Sequence, residues 1–155
     1  MQLIDLLAQT RVVCGLRSAS KKRALEELSH LIVEGDRSVS QLEVFESLIA
    51  RERLGSTGLG KGIAIPHGRL KTGTKAVAAF VKLAQGVDYD APDGLPVDLL
   101  CALLVPANCS EEHLQVLALL SEMFSSPEFR EKLRSATTAE ALHALLVSYV
   151  PELSH

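Results

Sequence analysis

The chain has 155 residues, of which 47% are hydrophobic and 23% charged, with a formal net charge of −3. That balance describes a single globular domain over residues 1–155 with room for a proper core, rather than a disordered chain. An aromatic content of 4%, no tryptophan and an acidic balance exclude a base-stacking or basic nucleic-acid surface, and no apolar run reaches the ~20 residues of a membrane span.

Leu3, Ile4, Leu6 and Leu7 predict a short opening helix, and Asp5 precedes any basic residue, so the N-terminal stretch lacks a secretory layout. Val12-Val13-Cys14 reads as a strand. Ser20 is placed to cap a helix from Lys21 to Glu34, where Ala24, Leu25, Leu28, Leu31 and Ile32 recur at helical spacing before Gly35. Ser40-Gln41-Leu42-Glu43 spells a capping box, with Val39 and Val44 as its hydrophobic staple. The helix it opens, with Val44, Phe45, Leu48 and Ile49 on one side, is expected to run to about Arg53.

Gly55 to Gly62 is a glycine-rich loop with four glycines, and Gly55 to Lys61 nearly spells a nucleotide-binding P-loop. The motif needs a serine or threonine after the lysine to bind Mg²⁺, and this chain has Gly62. The context is also reversed, because a helix precedes the loop and a strand follows it. Strands are expected over Gly62 to Pro66, Ala76 to Leu83 and Val97 to Val105. The last is too continuously apolar to have a face in water, which predicts a central strand. Ser110 is placed to cap a helix from Glu111 to Phe124, and Ser126 caps a short one with Pro127 at its first position. Thr137 and Glu140 form a second capping box, opening a helix towards Val147. The sum is an α/β domain with helices on both faces of a small sheet. Three cysteines, Cys14, Cys101 and Cys109, without a CxxC pair, suit reduced thiols in a cytoplasmic protein.

The richest stretch is Gly60 to Arg69. Its apolar run, Ile63 to Ile65, is expected to deliver His67 onto a break made by Pro66 and Gly68, presenting an imidazole at the end of a rigid element. A turn histidine bonded to its neighbours is the plainer alternative. The cysteines and histidines show no zinc spacing, and no GxSxG elbow appears, although spacing alone leaves a Ser-His-Asp triad open. A nucleophilic histidine accepting a phosphoryl group is the remaining option, and it needs cationic and N–H donors. Arg51, at the end of the capped helix, is placed to supply a guanidinium, though spacing alone favours a solvated surface charge. His113, in the first turn of the helix opened by Ser110, sits where the helix dipole favours anions and a neutral imidazole. It is also a plain helix-start residue. His30, His143 and His155 read as helix-surface or tail residues.

Arg51 to Gly60 followed by Gly62 to Gly68 resembles the active-site region of the fructose/mannitol-type IIA family of the bacterial phosphoenolpyruvate-dependent phosphotransferase system. Ser20 to Glu26 and Pro96 to Pro106 are similar to its nitrogen-regulatory, PtsN-like branch. The resemblance covers nearly the whole chain. It implies a three-layer α/β/α sandwich with a small mixed β-sheet. It also implies phosphorylation of His67 on the Nε2 side by a phosphorylated HPr-like carrier, with Arg51 and His113 flanking the site and no metal or nucleotide cofactor. Lys61 is expected to have only a supporting role. Two functions stay open: a switch whose phosphorylation regulates partner proteins, or a relay to a sugar-specific IIB partner. A third, a pure scaffold, keeps the fold and loses the chemistry. A chain ending at His155 without a fused IIB or transporter segment is expected to favour the switch. The oligomeric state and downstream targets are not legible.

Overall fold

A computed structural model of the chain describes residues 2–34, 38–71, 75–108 and 110–150. Its centre is the most apolar run of the sequence. Strand β6 (Val97–Pro106) lies antiparallel to β5 (Val77–Val87), with Ala78 opposite Leu103 and Phe80 opposite Cys101. Beyond β5, strand β1 (Val12–Leu16) pairs in parallel. The other side of β6 pairs in parallel with two short strands in succession, β3 (Ile63–Ala64) and β4 (His67–Leu70). Strand β2 (Gly58–Gly60) closes that edge antiparallel to β3, making a six-stranded mixed sheet.

Alternation along β6 sends its side chains into two cores. Leu99, Cys101, Leu103 and Val105 pack with helices α1 (Leu3–Leu6), α4 (Ser110–Ser125), α5 (Pro127–Ser135) and α6 (Ala139–Val147). Leu100, Ala102 and Leu104 pack with α2 (Lys21–Val33) and α3 (Gln41–Glu52). Strand β6 is therefore central, as its lack of a polar face predicts, and the architecture is the expected three-layer α/β/α sandwich. Complete burial pushes the Cys101 thiol up to about 12, which makes it a small core residue.

The helix starts follow their capping signals closely. Ser20, Ser40 and Ser126 each accept from the backbone N–H three residues on, and Pro127 takes the first helical position. Val39 and Val44 are buried in one core, as a staple requires. One cap differs by a residue: Thr138, not Thr137, accepts from the Ala141 N–H at 3.1 Å. Adjacent threonines offer equivalent hydroxyls, and the helix that follows buries Leu142 and Leu146 in the core. Ser110 is the first helical residue of α4, whereas Cys109 and Gly35 lie outside the described residues.

The glycine-rich segment departs most from expectation. It is a β-hairpin, β2 to β3, turned at Lys61 and Gly62, both with positive φ. Gly62 has a second reason to lack a side chain, since a Cβ there would collide with the Arg134 guanidinium and come 2.8 Å from Asp98 Oδ1. The expected strand over Gly62 to Pro66 is shorter, and the chain resumes as a strand where a break was expected.

Candidate functional site

Strands β3 and β4 keep one register along β6: Ile63 lies opposite Leu99, Ala64 opposite Leu100 and His67 opposite Leu103. Ile65-Pro66 is an interruption within what is otherwise a continuous edge. Pro66 has no N–H for a ladder, yet its carbonyl still accepts from Leu103 N at 3.0 Å. The Ile65 N–H turns away to donate to the Thr57 carbonyl at 3.1 Å. The Ile65 carbonyl accepts from Nδ1 of His67 at 2.9 Å.

A carbonyl oxygen can only accept, so Nδ1 carries the ring proton and Nε2 carries the lone pair of the neutral imidazole. Burial lowers the His67 pKa below the usual imidazole value. The Ile65 hydrogen bond opposes that shift, the Arg51 cation adds to it, and Glu52 works against it. Near neutral pH the ring is uncharged and basic at Nε2, the state in which an imidazole is a nucleophile.

Gly68 serves space rather than a turn. It lies inside β4, and a Cβ there would collide with Ser47 Oγ and come 3.2 Å from both Cβ and O of Ser47 on α3. The same Ser47 hydroxyl donates to the Arg69 carbonyl at 2.8 Å, pinning α3 against β4. Gly68 and Leu70 face α2 and α3. His67 and Arg69 occupy the alternate positions of β4.

Arg51, in the last turn of α3, donates from Nη1 to the Gly55 carbonyl at 2.8 Å. This bond anchors the guanidinium on the side of a cleft of about 650 Å³ that Arg51, His67, Arg69 and Lys71 line together with Glu43 and Glu46. Arg51 and His67, matched by sequence, are thus brought together. His113 is in the first turn of α4, and its side chain lies outside the described residues. Lys61 is placed elsewhere. It lines a separate cleft with Arg130 and Arg134, while its N–H donates to Asp93 Oδ2 at 2.8 Å and its carbonyl accepts from Arg134 Nη2 at 2.6 Å.

Sequence reasoning missed Arg69, Lys71 and Ser47 as neighbours of His67. The i, i+2 spacing of His67 and Arg69 is the signal, but it speaks only once the segment is known to be a strand. Glu52 was missed altogether. Its side chain is 5% exposed and paired with Lys21 at 3.0 Å, a burial that no periodicity announces. Among the described residues, no helix is long and apolar enough to cross a membrane.

The family model described as "phosphoenolpyruvate-dependent sugar phosphotransferase system, EIIA 2" matches residues 5–149. A nitrogen regulatory protein of Pseudomonas aeruginosa is 44% identical over 147 residues, covering 95% of this chain and 96% of the relative. A fructose-specific EIIA component of Haloferax volcanii is 37% identical over 132 residues, covering 85% and 86% respectively. The crystal structure of nitrogen regulatory protein IIA-Ntr from Neisseria meningitidis superposes with a TM-score of 0.87 at 46% identity, covering 92% of this chain and 97% of that one.

Proposed function

The chain belongs to the phosphoenolpyruvate-dependent sugar phosphotransferase system EIIA 2 family, and on that premise we propose that it is a phosphohistidine carrier with His67 as the acceptor. The observation that carries this reading is the Nδ1–H bond to the Ile65 carbonyl, which leaves the nucleophilic lone pair on Nε2. In the transfer, that lone pair attacks the phosphorus of a phosphorylated HPr-like donor. The new N–P bond forms as the donor's N–P bond breaks, and the bonding electrons return to the donor's imidazole. Nδ1 keeps its proton throughout. The Ile65 carbonyl stabilises the positive charge that the ring acquires, and the phosphoryl group stays labile enough to be passed on. Arg51 stabilises the phosphoryl oxygens, and His113 is assigned the same task from the start of α4.

The whole chain acts as one IIA domain in the cytoplasm, and its phosphorylation state regulates partner proteins, as the similarity to nitrogen regulatory proteins supports. The similarity to a fructose-specific EIIA component supports the second reading, a relay to a sugar-specific IIB partner. The test is incubation with the general phosphotransferase enzyme, an HPr-like carrier and phosphoenolpyruvate. Wild type should acquire an acid-labile label and His67→Ala none, while Arg51→Ala and His113→Ala should label slowly. Undiminished labelling of His67→Ala would remove the assignment.

A further inference from the structure

Glu52 is a buried charge that the transfer step leaves without a task. It is the last residue of α3, where the negative end of the helix dipole disfavours an anion. Its burial adds a desolvation cost that only good pairing offsets. Pairing is extensive. Oε1 lies 3.0 Å from Lys21 Nζ and accepts from the Thr57 N–H at 3.1 Å. Oε2 accepts from the Thr57 hydroxyl, and from the Tyr89 hydroxyl at 3.2 Å. Tyr89 is wholly buried, and burial beside Glu52 raises its pKa far out of reach, so it remains a phenol donor. Lys21 Nζ also sits 4.4 Å above the Tyr89 ring.

The cluster joins the start of α2, the end of α3, the segment leading into β2 and the loop between β5 and β6. A stability role alone is a poor account of it. An apolar side chain in the same place would avoid both the dipole and the desolvation costs, and local rules are commonly broken at functional sites. The cluster also leads to the site by an unbroken path. Glu52 holds the Thr57 N–H, the Thr57 carbonyl holds the Ile65 N–H, and the Ile65 carbonyl holds Nδ1–H of His67.

We propose that Glu52 is a positioning residue for the phosphoryl-accepting imidazole, acting through the Glu52–Thr57–Ile65–His67 relay and through a negative charge that Lys21 and Tyr89 hold in place. Arg51 and Glu52 are adjacent in the chain, and they act on the ring with opposite sign: the cation disfavours its protonation and the carboxylate favours it. The other charged groups lining the cleft are Glu43 and Glu46 of α3 with Arg69 and Lys71. The charged and titratable side chains at 112 and 113 lie outside the described residues. Glu52 thereby helps keep Nε2 basic against the burial of the ring and the Arg51 cation, both of which weaken it as a nucleophile.

The proposal rests on His67 as acceptor, and the test separates the two. The ring nitrogens of His67 are titrated by NMR in the unphosphorylated protein, for wild type, Glu52→Gln and the double variant Lys21→Met/Glu52→Gln. The double variant removes both charges, so no orphaned cation threatens its folding. The His67 midpoint should move down in both variants, and phosphoryl acceptance should slow by roughly tenfold, the scale set by one charge-assisted hydrogen bond. The sign is diagnostic. Simple loosening of the structure would expose the ring and move its midpoint up towards the ordinary imidazole value. An upward shift, or no shift, overturns the proposal. Absence of phosphate on His67 in the wild-type relay would instead overturn the acceptor reading, whatever the titration shows.

Discussion

The tautomer of His67 is set by two backbone features a few ångströms away: the proline that interrupts the edge strand, and the Ile65 carbonyl that this interruption turns towards Nδ1. The half-buried ring also makes stability depend on pH. Its folded pKa lies below its unfolded one, so between those values the unfolded chain binds more protons. The contribution of the neutral ring is intact above about pH 6.5 and is lost as pH falls from there to the lowered folded value. Urea unfolding of wild type and His67→Gln across pH 7 to 5 checks this. Wild type should lose more stability on acidification than the variant, and parallel curves would count against a buried neutral ring.

Between elements, the decisive contact is α3 against β4. Gly68 lets the helix approach until Ser47 occupies the space of a side chain. Gly68→Ala should therefore destabilise by about 1–3 kcal/mol, as overpacking commonly does. It should also slow phosphoryl acceptance, because α3 carries Arg51 to the cleft and cannot shift without moving it. Ser47→Ala removes the hydroxyl with which the new methyl would collide. In a double-mutant cycle the pair should cost less than the sum of the singles. Additive costs would mean that Gly68 matters for some reason other than this approach.

At the scale of the molecule, the sandwich is a rigid mount. Strand β6 contributes to both cores and carries the β3–β4 edge on one flank. Adding a phosphoryl group to His67 places about −1.5 to −2 charges on the phosphoryl oxygens near neutral pH, as for other phosphoresidues, and the imidazolium ring offsets only part of them. Leu54, 83% exposed, lines the cleft and gives it an apolar edge. A partner recognising the unmodified surface has to desolvate the new charge unless it brings cations. Phosphorylation should thus release such a partner without refolding this domain. Backbone amide spectra of the two forms should differ around residues 51–70 and the start of α4 and coincide elsewhere, while affinity for a captured target falls. Equal affinities would return the protein to the relay reading.

The amino-acid sequence by itself determined the layered α/β architecture, the central place of β6 and most helix starts, because apolar periodicity and capping hydroxyls are local signals. It also marked His67 and Arg51, whose segment reads as a unit. What it could not determine is what non-local contacts decide. The glycine-rich segment became a hairpin because Asp98, Arg134 and Asp93 meet its turn from elsewhere in the chain. Thr138 capped its helix in place of Thr137, a one-residue choice that two adjacent hydroxyls leave open in the sequence. His67 opened a strand instead of ending one, because β6 supplies a continuous partner across the proline. The ring's tautomer and the buried charge of Glu52 depend on neighbours that only the tertiary structure assembles, among them Lys21 and Tyr89, far from it in sequence.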